Sequence, residues 1–193
     1  MLTALRRSLA GLAARRAERS PAPGRATRWH RLACALSPDF VPSYRTLAGL
    51  LLQRSDRWGA RALAQQAAER FPDESDAWML LGESWLAVYR HEEALTAFEQ
   101  ALTLAERPDA ALAAGEIFRR SGRHAEAAER FSRAYAAGGG PDALRQNAAA
   151  LYQAGDAAAA DQALALWAQL VPGGAAQLAA VRTEMKLQVE RKD

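Results

Sequence analysis

From Trp78 onward the apolar positions of this chain recur at intervals of three and four, and then the whole pattern repeats as a block. The segment reads Trp78-x-x-Leu81-Gly82-x-x-Trp85, then Ala94-x-x-x-Phe98-x-x-Ala101, and closes on Pro108. Spacings of three and four place residues on one helical face, so the two runs predict two successive helices. Thirty-three residues later come Gly115, Phe118, Gly122, Ala127, Phe131 and Ala134, and thirty-three further on Ala148, Leu151, Gly155, Ala160, Leu164 and Pro172. Thirty-four residues back lie Tyr44, Leu47, Ala48, Leu51, Ala60, Ala67 and Pro72, preceded in the same register by Ala26, Ala33 and Pro38. Pro-Asp pairs at 38–39, 72–73, 108–109 and 141–142 mark the joints. No run of alternating β-branched residues suggests a strand.

A pair of antiparallel helices cannot bury its apolar face alone, and stacking identical pairs solves the problem. Gly82, Gly115, Ala48 and Ala148 are expected where the second helix crosses the first, matched by Ala94, Ala127, Ala60 and Ala160. Phe98, Phe131 and Leu164 are expected to fill the space between one pair and the next. Gly122 and Gly155 end first helices, where a left-handed residue costs least as glycine. Each Pro-Asp pair is expected to stop one helix and to cap the following one.

The Trp78–Pro108 segment resembles the tetratricopeptide repeat, W-x₂-L-G-x₂-Y followed by A-x₃-F and a terminal proline, with Trp85 where a tyrosine is usual. The resemblance implies an all-α, right-handed α-solenoid of stacked helix pairs. Its units run over 41–74, 75–107, 108–140 and 141–173. Residues 1–40 form a basic, degenerate first repeat, in which His30 replaces the usual aromatic, and 174–193 a capping helix. All of this is expected to be one continuous solenoid.

The resemblance further implies a non-enzymatic scaffold, adaptor or assembly factor holding a peptide segment or helix of another protein in a concave groove. The groove residues carried over are Arg45, Gln53, Met79, Glu83 and Leu86, then Leu112, Glu116, Arg119, Arg145 and Tyr152, with Gly49, Leu52, Asp76, Asp109, Asp142 and Ala149 beside them. Family members that grip chaperone C-termini use a lysine and asparagine cluster. Here Gly49, Leu80 and Ala113 stand at clamp places, so that specificity is not expected.

Composition changes this picture little. Half the residues are hydrophobic but only 7% are aromatic, and alanine supplies much of the remainder, which suits close helix packing through small side chains. One cysteine, Cys34, excludes an internal disulfide and fits a reducing compartment. No stretch approaches the roughly 18–20 apolar residues of a membrane-spanning helix. The short apolar run after Arg6-Arg7 does not continue as a secretory signal would. The expected location is therefore cytoplasmic, with a peripheral membrane association through a partner or the N-terminal helix left open.

Charge adds a second feature. Residues 1–31 carry eight arginines against Glu18 alone, a net of +7, whereas the chain as a whole is +3. Leu2, Leu5, Leu9 and Leu12 share a helical face, with Arg6 and Arg7 off it. That helix could lie on an anionic membrane or dock on a partner, which makes membrane-surface recruitment the alternative function. Packing of the leucines onto the first repeat is the structural counterpart, favoured because Arg16 interrupts the apolar stripe. Nucleic acid is disfavoured, since the remaining chain is net acidic.

No catalytic constellation emerges. His91 and His124 occupy identical places at the starts of second helices, a scaffold position, and no H-E-x-x-H or C-x-x-C motif is present. Gly138-Gly139-Gly140 follows a helix, with no Gly-Lys-Ser/Thr after it, and is expected to be an extended helix end. Cys34 is expected as a buried structural thiol. No cofactor, metal or small-molecule substrate is implied.

Overall fold

The computed structural model describes residues 41–190 without a break, and residues 9, 12, 13, 15, 16, 28 and 32 before them. From residue 41 the described residues form helices joined by short turns, and no strand. They divide into two compact units, Met1–Leu104 and Ala105–Asp193. The first contains α1 (Val41–Gln53), α2 (Arg57–Arg70), α3 (Ser75–Ala87) and α4 (His91–Leu104). The second contains α5 (Pro108–Arg120), α6 (His124–Ala136), α7 (Pro141–Gln153), α8 (Ala157–Leu170) and α9 (Gly174–Glu190). Within each unit the helices pack in chain order, and first helices also touch first helices, α1 with α3 and α7 with α9. This is the all-α solenoid arrangement.

Small residues set the spacing. The inner face of α2 is alanine alone (Ala60, Ala64, Ala67 and Ala68), buried against Tyr44, Leu47, Ala48 and Leu51 of α1. Where α3 meets α4, a Cβ added to Gly82 would lie 2.4 Å from the ring of Phe98. In the second unit, a Cβ on Gly115 would lie 2.7 Å from the ring of Phe131. Both rings are fully buried, so neither has free room to give way. Phe98 and Phe131 thus lie against the glycine of their own pair. In the first and last pairs the same register holds smaller partners, Ala48 with Ala64 and Ala148 with Leu164, all buried. Side-chain volume is traded across the crossing: phenylalanine meets glycine, and leucine or alanine meets alanine.

The helix ends correct one expectation. Pro108 and Pro141 are first helical residues of α5 and α7, so Asp109 and Asp142 lie inside the first turn and are not N-caps. A carboxylate there still faces the positive end of the helix dipole, and Asp109 also pairs with Arg107 at 2.8 Å. Side-chain caps occur instead on second helices. Asp56 accepts from the Gly59 amide at 2.9 Å, and Asp156 from the Ala159 amide at 3.0 Å. At the 72–73 pair the joint is held by Trp78, whose indole Nε1–H donates to the Pro72 carbonyl at 2.8 Å.

Candidate partner-binding faces

In the first unit the groove residues lie on α1 and α3. Arg45 of α1 reaches across to α3, 3.7 Å from Asp76 and 3.5 Å from Glu83. All three side chains are about half exposed, so these contacts orient the groups more than they stabilise the fold. Gln53 is exposed and Leu86 half-buried. Met79, expected to line the groove, retains 3% of its surface. It is a core residue here, because the helical period fixes the side on which a residue lies but not what covers it.

In the second unit the corresponding residues lie on α5 and α7. Glu116 takes a two-bond clasp from Arg119, at 2.7 and 2.8 Å, and a further bond from Arg120 at 2.7 Å. The Arg119 hydrogen bonds are the main reason that the Glu116 carboxyl sits below the usual glutamate range, and Glu116 in turn raises Arg119. Leu112 is half-buried beside them. Arg145 on α7 is exposed and forms no ion pair among the described residues. The two units differ accordingly: the first ties its groove charges between helices, and the second ties them along one helix and leaves Arg145 free.

Tyr152 also departs from expectation. It keeps 6% of its surface, in a cluster with Ala148, Ala160 and Leu164 that is covered by Leu178, Val181, Met185 and Val189 of α9. Its hydroxyl donates to Asp161 at 2.5 Å, and Arg182 of α9 pairs with the same carboxylate at 2.7 Å. Burial, then the Asp161 bond, pushes the Tyr152 phenol up to about 12. The capping helix therefore occupies the face where a partner had been expected. The apolar spacing of Leu178, Val181 and Met185 signals this in the sequence, since such a stripe must be buried against something. Nothing in the spacing points to Asp161 or Arg182 as its polar anchors.

Of the N-terminal candidates, Leu2, Leu5, Arg6 and Arg7 lie outside the described residues, as do His30 and Cys34. Leu9 and Leu12 are helical and 42% and 58% exposed, so neither is packed away, whereas Ala13 is buried. His91 and His124 open α4 and α6 as expected. Gly138 and Gly140 both take positive φ, as an extended helix end requires. Among the described residues no three His, Cys, Asp or Glu side chains gather as metal ligands, and no helix is long and apolar enough to cross a membrane.

Comparison with known proteins gives a consistent answer. A family model described as tetratricopeptide repeat matches residues 45–111 and 86–141. No curated protein sequence matches. Among solved structures, the MamA protein is similar with a TM-score of 0.68 at 15% identity, over 87% of this chain and 91% of that one. A thermophilic repeat protein of this kind from Thermus thermophilus gives 0.61 at 19% identity, covering 92% and 99%. YrrB, described as a repeat protein with an unusual peptide-binding site, gives 0.66 at 16% identity, covering 96% and 90%. At such identities the likeness speaks to the fold.

Proposed function

This chain belongs to the tetratricopeptide repeat family, and from that premise we propose that it is a non-enzymatic scaffold or assembly factor that binds a partner polypeptide on the exposed faces of its first helices. Proteins of this family generally serve as interaction scaffolds. The observation that carries the reading is the set of chemically mixed side chains on those helices, Gln53 and Arg145 exposed and Arg45, Glu83, Leu86, Leu112, Glu116 and Arg119 half-buried. Charges of both signs beside aliphatic groups suit a peptide, whose backbone and side chains offer donors, acceptors and apolar area together. A solved relative by fold, YrrB, is described as having a peptide-binding site. Met79 and Tyr152 are left out of the proposed surface because they are buried. The single cysteine supports a reducing compartment, the cytoplasm, as the place where the protein works.

Arg145 gives the cleanest test. It is exposed and without an ion pair among the described residues, so Arg145→Glu should leave the melting curve unchanged while weakening capture of the native partner by about tenfold or more. The measurement is an affinity pull-down from the source organism with wild-type and variant baits, quantified protein by protein. An identical set of captured proteins, at identical yield, would remove the second unit's groove face from the proposal.

A further inference from the structure

A second surface lies on the first unit, where α3 runs into its turn beside the start of α2. Two arginines one turn apart on α2 stack on two aromatic residues at the end of α3. The guanidinium of Arg57 lies 5.2 Å from the Tyr89 ring centroid, and that of Arg61 lies 4.4 Å from the Trp85 ring. Tyr89 and Trp58, the residue that follows Arg57 on α2, are the most exposed large apolar residues among those described, at 70% and 63%. Neither arginine forms an ion pair among the described residues. The nearest acid in sequence, Asp56, is engaged in capping α2, and the Arg61 Nε–H is shielded from water without an acceptor.

The repeat does not require this arrangement. At the positions of Arg57 and Arg61 the later repeats carry His91 and Leu95, His124 and Ala128, and Ala157 and Asp161; at those of Trp85 and Tyr89 they carry Phe118 and Gly122, and Leu151 and Gly155. Gly122 and Gly155 hold the left-handed conformation that the turn needs, with φ of 74° and 87°, yet Tyr89 adopts φ of 62° with a full side chain. A large residue held at positive φ is strained, and here the strain sets an aromatic ring in solvent beside two unpaired cations.

We infer that this arginine–aromatic ladder is a docking site for a short acidic segment of a partner protein, with carboxylates on Arg57 and Arg61 and an aromatic or proline residue against Tyr89 or Trp58. A guanidinium stacked by one face on a ring is pre-oriented and keeps its edge N–H groups for a carboxylate. The charge balance favours a short motif over a polyanion. Residues 41–104, the helices α1–α4, carry six arginines against nine acids, so beyond the ladder these helices repel extended negative charge. A nucleic acid strand or an anionic bilayer needs a broader basic surface.

The test begins with selection from a random-peptide display library, using the full-length protein as bait. The enriched peptides should pair Asp or Glu with a nearby aromatic residue or proline. A synthetic peptide of the enriched sequence, followed by fluorescence anisotropy, should lose about tenfold in affinity on Arg57→Ser with Arg61→Gln, and severalfold on Tyr89→Gly. Tyr89→Gly installs the residue that the second unit's turns carry at Gly122 and Gly155, so loss of folding cannot imitate loss of binding. Arg145→Glu should bind the peptide as wild type does, which separates this site from the groove. The idea is overturned if no peptide is enriched, if the enriched peptides lack acids, or if Tyr89→Gly and the arginine variant bind unchanged. Tighter binding of oligo-dT or of phosphatidylserine vesicles, dependent on Arg57, would also overturn it, in favour of a nucleic acid or a membrane.

Discussion

The two units solve one turn in two ways. Each first helix must pass to its second helix through a residue in the left-handed region. The second unit places Gly122 and Gly155 there, whereas the first places Ser55 and Tyr89, both at φ of 62°. Glycine meets the requirement without steric cost; other L-residues pay roughly 1–2 kcal/mol for it. The crossings show the opposite, since Gly82 with Phe98 in one unit and Gly115 with Phe131 in the other are the same device. Both units therefore share the packing that holds helices together, and they differ where the chain meets solvent. Similarity marks the scaffold, and the departures mark where to look for what this protein does.

The largest expected effect tests the shared part. Gly82→Leu and Gly115→Leu should each cost about 1–3 kcal/mol, because the new side chain has only a buried ring to displace. Gly82 should suffer more, its Cβ contact being shorter (2.4 against 2.7 Å). Urea denaturation of the two variants checks both size and order, and equal or absent losses would mean that the crossings are looser than described.

A smaller effect distinguishes the second unit by pH. The Tyr152 phenol is raised from 10.0 to about 12, so its stabilising contribution is complete below the unfolded value near 10 and is lost as pH rises through 12. The loss should be on the order of 1–2 kcal/mol. Tyr152→Phe should remove that portion of the alkaline destabilisation. Thermal melts of the wild type and variant between pH 9 and about 12 provide the comparison; parallel curves would show the phenol to be uncoupled from folding.

The smallest effects lie in the turns themselves, and they should have opposite signs. Gly122→Ala should destabilise by about 1 kcal/mol. Ser55→Gly should stabilise by roughly 0.5 kcal/mol, the relief of strain being partly offset by the greater freedom of glycine in the unfolded chain. Tyr89→Gly should be nearly neutral, since it also forfeits the stack with Arg57, worth about 0.5–1 kcal/mol at an exposed site. Equilibrium unfolding should order the three accordingly; a loss on Ser55→Gly would contradict the assignment of strain.

How much of this was legible in the chain depends on what kind of information a residue carries. The helix pairs, the small residues at the crossings and the left-handed glycines follow from periodicity, because each obeys a local rule repeated at each step. Met79 and Tyr152 are buried, contrary to their expected place on a groove, because burial depends on what packs over a helical face and the repeat pattern is silent on that. The Pro-Asp pairs at 108–109 and 141–142 stand at joints, but there proline begins the helix and carries the aspartate inside it. The pair at 72–73 lies in the turn before α3, and 38–39 lies outside the described residues. The stacking of Arg57 on Tyr89 could not be read at all. It joins residues from different repeats, and its members are those that the repeat leaves unspecified.

The volume trade at the helix crossings has a consequence for how such chains change over time. Glycine opposite phenylalanine is a complementary shape in which neither partner is free to vary by itself, whereas alanine meets either alanine or leucine. An exchange between repeats, in nature or in a designed array, must carry the two positions together as one inherited character. Moving only half of a glycine–phenylalanine pair would leave a hole or a collision, although each residue taken singly is found at its place elsewhere in the same molecule.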